Sequence, residues 1–542
     1  MFGFFKNLGF WKNCDGNVLM ITGLSILPIT VLAGSAIDMA NVITDRSRIQ
    51  HALDIAALDT AKRISDTPSF ADDNAAVLDY AAASFHANYF DATRVGASGV
   101  RKIDGSVDID ITHQLNRVGG LVREVVLSAS AKHKSHFMRI MIGDDPINTG
   151  TVSASTVRND TFDVVMVLDN SGSMSGSRIS TLRTAATDLT DILMGMNEDG
   201  NPDRVKVGLV PFSAFVNIGS GNANEAWMDR TAVSPIHSEN FDQPANRFDL
   251  FDELDGVTWQ GCVEARPYPH DTKDTLASLA DPETMFVPQF VPDEPDGNND
   301  NGMSYYNNYL DDEGGTCTGR APAGDDRPAV SQARICKYDD ERPGSNVRNS
   351  NGVSKGPNYY CKSNPVTPLT TNKTTVQNAV TAMNADGTTN IHHGVMWGWR
   401  LLSKAPPFTE SREDDKVDHY KVIIMMTDGD NYYGYTNNNH NKSRYGAYGY
   451  AALNRIEASP LSSNGWLNKS NDRTAETCAN AKADAGILIY SIAFKLSNPT
   501  TVDLMKNCAS RDDMFFASNS NAELRAAFQE IAESISKLRL TQ

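Results

Sequence analysis

The longest apolar pattern in the chain lies near its N-terminus. Residues 18–37 contain no charged side chain, and a helix of this length, rising 1.5 Å per residue, crosses a bilayer core of about 30 Å. Lys6 and Lys12 precede this run, which favours a cytoplasmic N-terminus. The pattern predicts a single-pass membrane helix, and the alternative is a signal peptide cleaved among the small residues 33–36.

Helical apolar spacing continues beyond this run to about Ile64. A cleaved chain would therefore begin inside a helix, so we expect an uncleaved anchor that extends as an amphipathic helix. The apolar positions of the extension are Met39, Val42, Ile43, Ile49, Leu53, Ala56 and Ala57.

A short region of mixed pattern follows. Residues 70–90 are rich in alanine and predict a helix, and residues 106–112 alternate strictly between polar and apolar, as a half-buried strand does. Leu121–Ala131 and Phe137–Ile142 predict further strands. The pattern indicates a small α+β region, and nothing in it has the spacing of a catalytic site.

The remainder of the chain alternates buried strands with amphipathic helices. Phe162–Leu168 and Tyr420–Met426 are apolar and rich in β-branched residues, which is typical of strands buried on both faces. Arg178–Met196 has its apolar residues at helical spacing. Two further strands and a closing helix are predicted at Arg204–Phe212, Gly486–Phe494 and Asn521–Leu538. This order predicts an α/β fold with a doubly wound sheet.

Oxygen-bearing side chains follow two of these strands. A D-x-S-x-S sequence starts directly after Leu168, an aspartate follows the strand that ends at Met426, and a threonine lies in a separate segment after Gly387. Ligands bind at this edge of open α/β sheets, and carboxylate and hydroxyl oxygens suit Mg²⁺, with Mn²⁺ or Ca²⁺ as alternatives. The predicted metal ligands are Asp169, Ser171, Ser173, Thr389 and Asp428, with Thr388 as an alternative to Thr389.

These five residues resemble the metal-ion-dependent adhesion site of the von Willebrand factor A family. The resemblance implies that the two serines and the threonine touch the metal directly and that the two aspartates act through water. It also implies that an acidic side chain of a partner fills an open position on the metal. The separation of Ser173 from Thr389 is longer than the family pattern and requires an insertion at about residues 218–372.

The seven cysteines indicate an oxidising compartment. Cys14 precedes the predicted membrane helix, and an even set lies beyond it, which predicts three disulfides. Cys478 and Cys508 bracket a predicted strand and are expected to pair. The four in the insertion, for which three pairings are possible, are Cys262, Cys317, Cys336 and Cys361. Scattered buried thiols are the alternative, and the absence of C-x-x-C argues against zinc.

Three other segments carry weaker indications. Asp296–Gly302 has some donors of a Ca²⁺ loop but lacks its Gly and Glu positions, so a solvated turn is expected. His392 and His393 are adjacent and point about 100° apart on a helix, so we expect a helix-start or surface role rather than a shared metal. The loop 430–450 predicts either a partner surface or a disordered polar loop.

The N-terminal 50 or so residues resemble the TadE/TadG-like Flp (tight adherence) pilus-assembly family. The resemblance is carried by Gly16, by the apolar helix after it and by Ser47–Leu58. It implies a role in building or anchoring an Flp-type pilus in a bacterial envelope. Relatives processed as pseudopilins have Glu at the fifth residue after the Gly, whereas this chain has Ile21, which argues against processing.

Charge and motifs exclude several functions. The net charge of −18 argues against a nucleic-acid partner, and the absence of G-x-S-x-G, H-E-x-x-H and Walker A motifs argues against an enzyme. We therefore predict an inner-membrane scaffold, with its bulk in the periplasm, that binds other pilus-assembly or envelope proteins through the metal. The alternative is a membrane-anchored adhesin that binds host or matrix ligands.

The predicted organisation has five parts, of which the last contains the disulfide-stapled insertion. They are a cytoplasmic N-terminus (1–17), a transmembrane helix (18–37), an extended amphipathic helix (38–65), a small α+β region (66–157) and a von Willebrand factor A-like domain (158–542).

Overall fold

The protein forms two compact units in a computed structural model. Residues before 160 form the small unit, and those from Asp160 onward form the large unit. The structure describes residues 17–89, 107–118, 121–156, 160–197, 202–296, 305–318, 327–339, 355–413 and 418–538.

The small unit packs two helices on an antiparallel sheet of strand order β1-β2-β3. Its elements are α1 (Asn17–Asp66), α2 (Asn74–Tyr89), β1 (Val107–Val118), β2 (Leu121–His133), α3 (Arg139–Ile142) and β3 (Ile147–Thr156). Its core joins residues of α1 such as Leu53 to Phe85 of α2 and Leu127 of β2.

Helix α1 has two halves of different character. Its first half exposes Ile21, Leu24, Ile29 and Leu32, and it is long and apolar enough to cross a membrane. Its second half, from about Val42 to Ile64, packs against α2 and the sheet. It buries five members of the predicted apolar stripe, whereas Met39 and Ile43 are exposed; the buried members are Val42, Ile49, Leu53, Ala56 and Ala57. The predicted N-terminal apolar helix is therefore present and continues without a break into the fold.

The prediction of a strand at Phe137–Ile142 is wrong. The segment is a turn followed by α3, because one carboxylate oxygen of Asp38 accepts the N–H groups of His136, Phe137 and Met138 in succession. The third strand of the sheet is β3, which the sequence pattern did not indicate.

The large unit is a doubly wound α/β structure. Its strands are β4 (Thr161–Asp169), β5 (Val205–Phe212), β6 (Val216–Asn217), β7 (Cys262–Val263), β8 (Thr367–Thr370), β9 (His419–Thr427), β10 (Leu488–Phe494) and β11 (Phe515–Ser518). Its helices are α4 (Ser177–Gly195), α5 (Arg247–Glu253), α6 (Arg327–Ala333), α7 (Lys373–Ala382), α8 (Ile391–Leu402), α9 (Ser463–Asp484), α10 (Pro499–Cys508) and α11 (Asn521–Leu538).

The sheet has the strand order β11-β10-β9-β4-β5-β6-β7, with β8 paired to β5. Strands β11, β10, β9, β4 and β5 run parallel to one another. Strands β6 and β8 each pair antiparallel with β5, and β7 pairs antiparallel with β6. Val165 and Val167 of β4 face a core that includes α8, α9 and α10. Val164 and Met166 face the core formed with α4, α7 and α11. The predicted doubly wound sheet is confirmed.

The segment between β6 and β8 adds to the core on one face of the sheet, which its polar sequence did not predict. Its described residues bury an aromatic cluster that packs against α8. The largest members of this cluster are Trp227, Phe248, Phe251, Trp259, Phe286 and Phe290. The segment is therefore a folded part of the large unit and not a loop held by cysteines alone.

Three disulfides are present, as predicted. Cys478 pairs with Cys508, and the two remaining bridges are Cys262–Cys361 and Cys317–Cys336. The expectation that Cys14 is free falls on a residue outside those that the structure describes.

Candidate metal centre

The two aspartates of the predicted site lie at the ends of neighbouring strands. Asp169 is the last residue of β4, and Asp428 directly follows the last residue of β9. The strands are parallel, with Leu168 opposite Met426. Parallel strands in register end at the same edge of a sheet, so the fold itself brings the two carboxylates together.

The D-x-S-x-S loop turns its hydroxyls toward Asp428. The N–H of Ser171 donates to Asp169 Oδ1 at 2.8 Å, which folds the loop back on its aspartate. The Oγ atoms of Ser171 and Ser173 are 2.9 Å apart, and Ser173 Oγ donates to Asp428 Oδ1 at 2.5 Å. A continuous row of oxygen atoms thus joins the two strand ends.

Thr389 reaches the same place from a third segment. A Cβ atom on Gly429 would lie 3.3 Å from Thr389 Oγ1 and 3.6 Å from Ser173 Oγ, so both hydroxyls lie over this glycine. The threonine loop is joined to the serine loop by the N–H of Gly172, which donates to the carbonyl of Gly387 at 3.0 Å. Thr388 is not among the nearest neighbours of Gly429.

Burial and like charge dominate the electrostatics of Asp169. Its side chain is fully buried. Burial, and then the charge of Asp428, raises the pKa of Asp169 to about 6, because both effects disfavour the ionised form. Thr427 Oγ1 donates to Asp169 Oδ2 at 2.6 Å and partly offsets them. A cation bound between the carboxylates would relieve their repulsion.

Arg178 is a member of the site that the sequence analysis did not identify. It lies in the first turn of α4, and its guanidinium donates to Asp428 Oδ2, while about a third of its side chain is exposed. The sequence feature that points to Arg178 is its position as a basic residue shortly after the D-x-S-x-S loop. Arg178 gives Asp428 a counter-charge at Oδ2, and the same guanidinium nitrogen donates to the carbonyl of Ser173 at 3.5 Å.

Buried asparagines fix the loops around the site. Asn170 donates to the carbonyl of Asn384 at 2.7 Å and accepts from Ser363 Oγ at 3.1 Å. Asn431 accepts the N–H of Ile391 at 2.8 Å. These bonds satisfy buried polar groups and hold the loops in one arrangement.

The surface role expected for the two histidines is wrong. His392 and His393 do lie in the first turn of α8, but both are buried. His392 Nε2 is 3.0 Å from Thr477 Oγ1, and its Nδ1 is 2.6 Å from Tyr448 OH. Burial lowers the pKa of His392 to about 4. The histidine is therefore a neutral, hydrogen-bonded core residue, because α8 is covered on both sides.

The disordered alternative for the loop 430–450 is also wrong. Tyr445 is buried and donates to Glu264, which Arg247 and Arg455 also contact. Tyr432, in contrast, is more than half exposed, and its N–H donates to the carbonyl of Thr389 at 2.9 Å. Tyr432 therefore offers exposed surface next to the threonine loop.

The donor set fits a hard divalent cation. It consists of two carboxylates and three hydroxyls, and oxygen-only sets suit Mg²⁺. Among the described residues, no group of three or more His, Cys, Asp and Glu side chains could hold a metal ion. In the segment with a weak resemblance to a Ca²⁺ loop, Asp296 is hydrogen-bonded to Asp312. The rest of that segment, residues 297–302, lies outside the described ranges.

Comparisons with solved structures find proteins of bacterial pili. The von Willebrand factor domain of the type V pili tip protein Mfa5 from Porphyromonas gingivalis is 11% identical, with 71% of this chain and 97% of that chain covered and a TM-score of 0.32. The pilus adhesin RrgA from Streptococcus pneumoniae is 11% identical, with 78% of this chain and 49% of that chain covered and a TM-score of 0.34. The pilus adhesin SpaC from Lactobacillus rhamnosus GG is 12% identical, with 80% of this chain and 35% of that chain covered and a TM-score of 0.31.

This chain thus spans about half the length of RrgA and about a third of SpaC. No curated protein matches it. Residues 16–63 match the family model described as putative Flp pilus-assembly TadE/G-like, which confirms the resemblance predicted for the N-terminal segment and identifies that segment as TadE/G-like.

Proposed function

We propose that the protein is a membrane-anchored pilus-assembly or envelope scaffold protein of the Flp (Tad) type that binds a partner through a divalent metal. The TadE/G-like match of residues 16–63 and the apolar first half of α1 support the pilus role and the anchor. Three disulfides support an extracytoplasmic, periplasmic position for the bulk of the chain.

One observation carries the metal part of the proposal. Oxygen-bearing side chains from three separated segments converge at the carboxyl edge of the sheet. The proposed ligands are Asp169, Ser171, Ser173, Thr389 and Asp428. These side chains meet only in the folded sheet, and burial together with the charge of Asp428 disfavours the ionised form of Asp169.

The residues around the row position it. Ser171 and Thr427 each donate to a different oxygen of Asp169, while Ser173 and Arg178 each donate to a different oxygen of Asp428. The four carboxylate oxygens are therefore held in fixed directions. Mg²⁺ bound there supplies a Lewis-acidic centre for an acidic side chain of the partner, with Mn²⁺ or Ca²⁺ as alternatives. The role is binding and not catalysis.

Replacing Asp169 tests this function. Asp169→Ala in the full chain, solubilised in detergent, should abolish Mg²⁺ binding measured by titration calorimetry and should abolish piliation in cells. Asp188→Ala is the matched control, because Asp188 lies on the exposed side of α4 next to Arg525. The control should bind Mg²⁺ and support piliation as the wild type does.

The outcomes separate the alternatives. Equal Mg²⁺ binding by the wild type and Asp169→Ala would refute the metal site. Loss of Mg²⁺ binding with normal piliation, but with lost adhesion to host or matrix surfaces, would favour the adhesin function over assembly.

A further inference from the structure

The connection between β2 and β3 lies directly on the apolar half of α1. A Cβ atom on Gly34 would lie 2.2 Å from a ring carbon of Phe137, a distance that no real side chain tolerates. The Phe137 ring therefore packs against the bare backbone of α1 at Gly34. The contact lies within the charge-free run 18–37, where a membrane-spanning helix meets lipid.

Asp38 fixes this connection at the end of the run. It is the first charged residue after residue 37, and it is buried although its neighbours on α1, Ile37 and Met39, are exposed. Its Oδ2 accepts the N–H groups of His136 at 3.0 Å, Phe137 at 2.7 Å and Met138 at 2.8 Å. Three successive backbone donors are thereby satisfied, as they must be where water is scarce.

The depth of the connection follows from helix geometry. Gly34 precedes Asp38 by four residues, which is about 6 Å along a helix axis, so the Phe137 ring lies on the membrane side of Asp38. Phe137 nevertheless exposes 42% of its surface and Ile140 exposes 68%. Phe137 thus faces outward at the level where the apolar run ends, and a second large apolar side chain, Ile140, is exposed three residues later.

We propose that Lys134–Ile140, here named the interfacial segment, is immersed in the lipid headgroup and upper acyl region of the membrane that α1 crosses. The proposal rests on the membrane anchor of the proposed function. It is favoured because the segment is continuous with the apolar surface of α1 and combines outward apolar side chains with Lys134 at the surface, which is typical of interfacial segments.

This contact gives α1 a fixed depth in the bilayer. A single helix can slide or tilt along the membrane normal at a modest cost, whereas Asp38 joins the interfacial segment to the helix at one height. The small unit would then stand on the membrane in one orientation. Leu58 provides an internal comparison, because it is 63% exposed but lies 21 residues beyond Ile37, about 30 Å along the helix.

Site-specific photocrosslinking tests the inference. The photoreactive residue benzoylphenylalanine is placed at position 140, 29 or 58 of the full chain in nanodiscs of phosphatidylethanolamine and phosphatidylglycerol, and lipid adducts are measured by mass spectrometry. Position 29 lies in the apolar run, where Ile29 is 62% exposed, and reports the anchor alone. Positions 29 and 140 should give lipid adducts at several times the yield of position 58.

A variant of Asp38 tests whether this residue positions the interfacial segment, because it leaves the residues of the segment itself unchanged. Asp38→Ala removes the acceptor of three N–H groups without changing the interfacial segment. It should lower the adduct yield at position 140 several-fold and leave the yield at position 29 unchanged. Equal yields at position 140 with and without Asp38 would overturn the role given to this residue.

Each remaining outcome is decisive. Adducts at position 29 but not at 140, or equal adducts at 140 and 58, would overturn the inference and leave the anchor intact. Crosslinks from position 140 to a second copy of the chain would replace the lipid surface with a protein interface. Absence of adducts at position 29 would overturn the anchor and the inference together.

Discussion

Strand β4 carries a buried aspartate near each end, and the two have opposite electrostatic surroundings. Asp163 is bonded by the guanidinium and the N–H of Arg412, by Ser411 Oγ at 3.1 Å and, at 3.5 Å, by His419. Burial acts to raise the pKa of Asp163, but the hydrogen bond of His419 and the charge of Arg412 outweigh burial and lower this pKa.

Asp169, at the other end of the same strand, is equally buried but is paired differently. Among the described residues, its hydrogen-bond donors are the neutral groups of Ser171 and Thr427, and its charged neighbour is another carboxylate, Asp428. One aspartate thus has a cationic partner built into the chain, whereas the proposed function gives the other a cation from solution. Burial alone does not distinguish the two carboxylates; the neighbouring charge does.

The largest effect should come from breaking the internal pair. Asp163→Asn removes the buried partner of Arg412 and leaves this guanidinium only its pair with the exposed Asp203. Removing one partner of a buried pair costs up to about 3–5 kcal/mol. Urea unfolding followed by tryptophan fluorescence measures this loss, because five of the six tryptophans lie in the large unit. Asp188→Asn, which breaks an exposed pair with Arg525, should cost at most about 1 kcal/mol. Similar losses for both variants would contradict the comparison.

Acid should remove the same contribution. Because the folded state lowers the pKa of Asp163, its stabilising effect is complete above the ordinary carboxyl pKa of about 3.9 and is lost as the pH falls through the lowered value. The difference in unfolding free energy between the wild type and Asp163→Asn should therefore shrink below that pH. A difference that stays constant into strong acid would show that charge is not its origin.

A smaller effect should come from supplying the external cation. At a free Mg²⁺ concentration of 100 times its Kd, the wild type should gain about 2.7 kcal/mol of unfolding free energy. Asp169→Asn should gain none, and without divalent ions its stability should lie within about 1 kcal/mol of the wild type, since the substitution also removes a like-charge repulsion. Urea unfolding with Mg²⁺ and with a chelator measures both values.

The smallest effect is expected at Arg178. Its pair with Asp428 is partly exposed, so Arg178→Gln should lower the unfolding free energy by no more than about 1 kcal/mol. Calorimetry should show tighter Mg²⁺ binding, because a positive charge beside the site is removed. Arg525→Gln, which changes an exposed arginine of α11, is the control and should leave Mg²⁺ affinity unchanged. Weaker Mg²⁺ binding by Arg178→Gln would mean that the hydrogen bond by which Arg178 positions Asp428 outweighs the repulsion between its charge and the cation.

Elements with a regular spacing of apolar residues were predictable from the sequence. Elements held by particular hydrogen bonds of polar side chains were not. Helix α11 and strand β4 agree with the apolar pattern because each buries a continuous stripe or run. The turn at Phe137 was misread as a strand because its cause, the carboxylate of Asp38, lies about a hundred residues earlier. The aromatic core of the insertion was missed because its residues are scattered among polar ones.

The sequence alone determined that Asp169 and Asp428 lie at one edge of the sheet, because residues that directly follow neighbouring parallel strands meet there. It also determined the apolar run and the even set of distal cysteines. Only the tertiary structure decided that Arg412 neutralises Asp163, that no such group reaches Asp169 among the described residues, and that Arg178 contacts Asp428. Counter-charges come from distant parts of the chain, and electrostatic energy depends on distance in space, which local pattern does not encode.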